Sequence, residues 1–119
     1  MIEINMNTKR LKLSIKGHAL QTETEQHSAI CTGVSAIAQG LAYTYSKVSK
    51  AMREVQYRDD PGDMFLLAIP EDYAVAPARE IFKAYGNGLE MMAKCHPESV
   101  SMIWDGEKIL PDKEDGKHE

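Results

Sequence analysis

Between Ser28 and Met52 the apolar residues Ile30, Val34, Ile37, Leu41, Tyr45, Val48 and Met52 recur three or four positions apart. That spacing places them on one face of an α-helix of about six turns, with Ser28 as the N-cap. A second stripe of small residues, Cys31, Ser35, Ala38 and Ala42, runs beside it and lets a sheet or another helix approach closely. This helix is the firmest element in the chain, and the remaining segments must supply the surface it packs against.

Those segments alternate with period two. Ile2, Ile4 and Met6, then Leu11, Leu13 and Ile15, predict a hairpin turning at Asn7-Thr8-Lys9-Arg10, and Gly17 redirects the chain as it leaves the second strand. A second hairpin is predicted from Val55–Arg58 and Met64–Ile69 around Asp59-Asp60-Pro61-Gly62-Asp63. Its second strand is apolar on both faces and should be central or cover a subunit contact as well as the core. A second helix over 76–96 carries Ile81, Tyr85, Leu89 and Met92 on its buried side, is weakened by Gly86 and Gly88, and is stopped by Pro97. Val100, Met102 and Trp104 then give a last strand.

The expected fold is α+β, an antiparallel sheet of about five strands with two helices on one face, in the order ββαββαβ. One domain spans 1–106, and a charged tail follows over 107–119. Two helices leave one sheet face open, with Phe65, Leu67 and Ile69 on it, which predicts a homodimer.

A net charge of -4 argues against direct nucleic-acid binding. No run is long and apolar enough to span a membrane, and Met1-Ile2-Glu3-Ile4-Asn5 lacks the basic and apolar regions of a leader, so a cytoplasmic protein is expected. There the two cysteines, Cys31 and Cys95, should be thiols rather than a disulfide.

The junction between Gly17 and Ala36 holds the chemistry. With Ser28 capping the helix, Cys31 falls at its third position, where unpaired N–H groups and the helix dipole favour a thiolate. His18, just after the second strand, could take the thiol proton and return it to a leaving amine. The same N–H groups could hold an oxyanion. By spacing alone this remains one reading beside a simpler one, in which Cys31 is a small buried apolar residue.

The runs Lys16-Gly17-His18-Ala19 and Ile30-Cys31-Thr32-Gly33-Val34-Ser35-Ala36-Ile37 resemble the ribosomal-processing cysteine protease family, Prp. Its pattern is Gly-His-Ala, a loop, then Asp-x-Val-Cys-Ala-Ala-Val-Ser-Ala-Leu. Gly88-Leu89-Glu90-Met91-Met92-Ala93 before Pro97 and a short final strand extend the likeness to about residues 2–104. The resemblance implies a small dimeric α+β cysteine endopeptidase without a cofactor. Its partner would be a protein substrate, a large-subunit ribosomal protein that loses a short, flexible N-terminal extension. His18 then matches the catalytic histidine and Cys31 the nucleophile. Two departures stand out. Ser28 occupies the place of the family's Asp, and the loop is one residue longer, with Glu23 or Glu25 available as a replacement carboxylate.

Other readings stay open: a phage-associated homologue cutting a virion or scaffold protein, and a non-catalytic protein-binding module on the same fold. His27 is the rival base, and Ser35 a small contact one turn beyond Cys31. A zinc site from His18, His27, Cys31 and Cys95 or His96 matches no standard ligand spacing.

Overall fold

The structure, a computed structural model, describes residues 1–17 and 25–111, and of residues 25–28 the backbone alone. Eight elements follow one another: β1 (Ile2–Asn7), β2 (Lys12–Lys16), α1 (Glu25–Lys47), β3 (Met52–Asp60), β4 (Asp63–Pro70), α2 (Val75–Cys95), β5 (Val100–Trp104) and β6 (Glu107–Lys108). The sheet order is β3-β4-β2-β1-β5-β6. The expected α+β order is present, with one short strand added. One pairing departs from the antiparallel expectation: β5 lies parallel to β1, Ile4 opposite Met102. A parallel neighbour requires a long crossing connection, and everything from β2 to α2 intervenes.

Alternation dictates which face is covered. Ile2, Ile4, Met6, Leu13, Ile15, Met64, Leu66, Ala68, Val100 and Met102 are buried in one cluster with Ile30, Val34, Leu41, Tyr45, Phe82 and Leu89 of the helices. Both helices therefore pack on the same side of the sheet. β4 is internal, between β3 and β2, as its two apolar faces require.

Three boundaries differ from the sequence expectation. α1 stops at Lys47, a 3₁₀ turn follows over Ser49–Ala51, and Met52 opens β3 opposite Pro70. Val48 and Met52 continue the helical phase without being in the helix, because Met52 reaches the core from a strand instead. At the other end α1 starts at Glu25, so Ser28 lies inside the helix and is not its N-cap. Glu25 and Gln26 are good helix formers, and an acidic residue suits the first turn. Finally, Glu107–Lys108 pairs with β5, and the Ile109 amide donates to the Met102 carbonyl at 2.9 Å, so ordered contacts run into the segment expected to be tail. Asp105 (φ 53°) and Gly106 (φ 84°) make the reversal. Residues 112–119 lie outside the described residues.

The buried seam of α2 is Ala78, Phe82, Gly86, Leu89 and Ala93, while the expected Ile81, Tyr85 and Met92 are only partly buried. At Gly86 a Cβ would stand 2.7 and 2.8 Å from two ring carbons of Trp104. That ring is anchored, its Nε1 donating to Thr8 Oγ1 at 2.7 Å. Gly86 thus sets how closely α2 approaches β5. Gly86→Ala gains up to about 1 kcal/mol of helix propensity but overpacks the contact by about 1–3 kcal/mol, so a net loss of about 1–2 kcal/mol is expected. Urea unfolding checks it, and a variant as stable as wild type contradicts this account.

The other sheet face is not bare. Phe65 and Leu67 are half-buried among Asn5, Lys12, Ser14 and Lys16, and the cations of Lys12 and Arg58 lie 5.8 and 5.5 Å from the centroid of the Phe65 ring. Long basic side chains thus lie over part of this face, at Phe65.

Candidate active site

β2 delivers the chain to Gly17, whose φ of +88° is open mainly to glycine. Its amide donates to the Gly62 carbonyl at 3.0 Å, tying the strand end to the β3–β4 turn. A Cβ here would overlap the carbonyl oxygen of Met1. His18 and Glu23 follow in a segment outside the described residues, and the side chains of Glu25, His27 and Ser28 are likewise not described.

The chain returns as α1, with Cys31 as its seventh residue. The thiol is nearly buried, 9% exposed. It shares a niche of about 10 Å³, about one water sphere, with Gly17, Ile2, Ile15, Val34, Ser35, Asp59 and Met64. The structure thus brings Cys31 against the residue that precedes His18. It also revises the expected role of the helix. Amides without an intrahelical partner belong to the first turn, and the Cys31 amide lies beyond it. The dipole also fades beyond that turn.

Asp59 is the residue that sequence reasoning missed. Read as part of a turn, it belongs to β3, because the strand runs on to Asp60 and only Pro61 and Gly62 turn the chain. In register with Met64 it faces the helices, while its neighbours Arg58 and Asp60 face the other side. Its Oδ2 accepts from Gln39 Nε2 at 2.9 Å and from the Tyr57 hydroxyl at 3.2 Å. Partial burial, the Asp59 charge and that hydrogen bond push the Tyr57 phenol up to about 12. Strand alternation from Tyr57 was the one signal that could have placed Asp59.

The remaining candidates lie elsewhere. Cys95 ends α2, exposed beside Glu90, Met91 and Lys94, and is not joined to Cys31 in a disulfide. His96 caps the same helix, its amide donating to the Met92 carbonyl at 2.9 Å. Among the described residues no group of three or more His, Cys, Asp or Glu side chains is placed to hold a metal ion.

The family model described as "Cysteine protease Prp" matches residues 1–101, which spans both sides of the Cys31 niche. The chain belongs to the Prp family. It is a cysteine protease. Solved structures carry the same fold. The "essential ribosomal processing protease Prp" of S. aureus with a covalently linked product peptide superposes with a TM-score of 0.67 at 18% identity, covering 87% of this chain and 99% of that one. The same S. aureus protein with a substrate peptide gives 0.65 at 19%, covering 87% and 96%. SMU.848 of Streptococcus mutans gives 0.64 at 17%, covering 87% and 90%. No curated protein matches the chain. At these identities the likeness to solved structures speaks for the Prp fold alone. Among the described residues no helix is long and apolar enough to cross a membrane.

Proposed function

We propose that this Prp-family protease removes a short N-terminal extension from a large-subunit ribosomal protein, with Cys31 as nucleophile and His18 as general base. The observation that carries the reading is the niche shared by Gly17 and Cys31. His18 is the next residue in the chain after Gly17. His18 takes the thiol proton, the thiolate sulfur bonds to the scissile carbonyl carbon, and the C–N bond breaks as the imidazolium returns its proton to the leaving amine. Water then attacks the thioester, with His18 taking its proton, and the thiol is regenerated. The bound product and substrate peptides of S. aureus Prp support a flexible peptide as substrate.

The family resemblance supports the same substrate, a cytoplasmic homodimer and no cofactor. A strict monomer in sedimentation at micromolar concentration overturns the dimer.

The test is the intact mass of a large-subunit ribosomal protein carrying its N-terminal extension after incubation with enzyme. Wild type should release one fixed N-terminal segment. His18→Ala should slow release by about 10²–10⁴-fold while circular dichroism is unchanged, the loss typical of a missing general base. A precursor left intact by wild type refutes the substrate, and cleavage by His18→Ala at the wild-type rate refutes the base.

A further inference from the structure

On α1, Cys31, Ser35 and Gln39 follow one another at intervals of four and so share one face. Beside that face runs β3, an edge strand of the sheet, whose Asp59 lines the Cys31 niche and is held by Gln39. An edge strand presents unpaired backbone groups along which an extended peptide can lie. A peptide seated there, with its scissile carbonyl at Cys31, passes Asp59 within a few residues of the cut.

The setting of the Asp59 carboxylate is unusual. Both of its hydrogen bonds come from neutral donors, Gln39 and Tyr57, and both fall on Oδ2. Among the described residues no lysine, arginine or histidine pairs with it, although Asp60 and Asp63 on the same hairpin both pair with Arg58. The side chain is exposed. Two neutral donors therefore hold Oδ2, and among the described residues no cation pairs with the carboxylate.

We propose that Asp59 is a specificity-determining residue whose carboxylate pairs with a Lys or Arg side chain of the peptide held at Cys31. The inference rests on the proteolytic role of Cys31. A charge-assisted hydrogen bond at an exposed carboxylate favours a cationic side chain over a neutral one by about 2–5-fold. An acidic side chain at the same position is repelled. Gln39 and Tyr57 act as positioning residues that keep Oδ2 engaged.

The experiment exposes a mixed-sequence peptide library to the full-length enzyme and identifies new termini by mass spectrometry. Wild type should enrich Lys and Arg at one position within about three residues of the cut, on the peptide geometry of an edge-strand complex. Asp59→Asn, isosteric and uncharged, should abolish that enrichment, and Asp59→Lys should replace it with Asp and Glu. A titration of tyrosine absorbance, assigned by difference with Tyr57→Phe, reads the local geometry independently of cleavage. The Tyr57 phenol should fall from about 12 toward its ordinary value in Asp59→Asn, because the charge is gone while burial remains. Cutting by wild type without a basic preference, or a preference that survives in Asp59→Asn, overturns this inference and leaves the protease intact. A wild type that cuts nothing in the library or among ribosomal precursors overturns the protease reading and this inference together.

Discussion

Cys31→Ala is expected, on the mechanism proposed for Cys31, to reduce peptide cleavage by roughly 10³-fold or more, to the level of whatever binding alone contributes. The residue is nearly buried and its side chain small, so the same change should cost only about 1 kcal/mol of stability. The two effects separate cleanly: activity measured on a precursor protein disappears while the thermal midpoint moves by a few degrees. Cleavage by Cys31→Ala at the wild-type rate would remove the nucleophile from the mechanism. The position of Cys31 makes the partner base more important than the sequence suggested. With α1 beginning at Glu25, the thiol sits in the second turn, away from the N–H groups of the first. On the proposed mechanism, deprotonation then rests on the His18 imidazole rather than on the helix dipole. His18→Ala should accordingly approach the severity of Cys31→Ala.

Phe82→Ala is expected to destabilise the fold by about 3–5 kcal/mol, a large share of the 5–15 kcal/mol typical of a domain. Phe82 is fully buried on the sheet-facing seam of α2, one turn before the glycine that lies against Trp104. Removing the ring leaves a cavity in the core cluster that the sheet and both helices share, where little collapse is available. Urea denaturation with an unchanged slope gives the number. A loss below about 1.5 kcal/mol would mean that the site relaxes around the gap, as a surface-like position does.

The same helix explains why parts of the core escaped the sequence. Apolar and small residues occupy two adjoining seams of α2, and each has a separate partner. Ala78, Phe82, Gly86, Leu89 and Ala93 meet the sheet, while Tyr85 and Met92 meet α1, the Tyr85 hydroxyl lying 2.7 Å from Thr44 Oγ1 and the Met92 methyl facing Gly33. Periodicity finds an apolar helix face but does not say which half of a wide face turns toward which neighbour. Gly86, read as helix-weakening, is where Trp104 comes closest to α2, a property of the pair of surfaces and not of either segment. For the same reason Val48 and Met52 extended the apparent helix into β3, since an apolar side chain can reach one core from either kind of backbone.

The site divides along similar lines. The Gly-His-Ala and Ile-Cys-Thr-Gly strings that pointed to the family were legible because each is local, and Gly17 carried its own backbone requirement at φ +88°. Asp59 was not, because its relation to Cys31 spans twenty-eight positions and exists only once β3 is paired to β4 and laid beside α1. Alternation and helical spacing, which each residue's neighbours along the chain impose, determined the α+β class, the order of the elements and the junction where the thiol lies. Tertiary packing alone decided the parallel placement of β5, the depth of Cys31 in its helix and the carboxylate beside it, because these depend on which distant surfaces exclude water together and how closely they can approach.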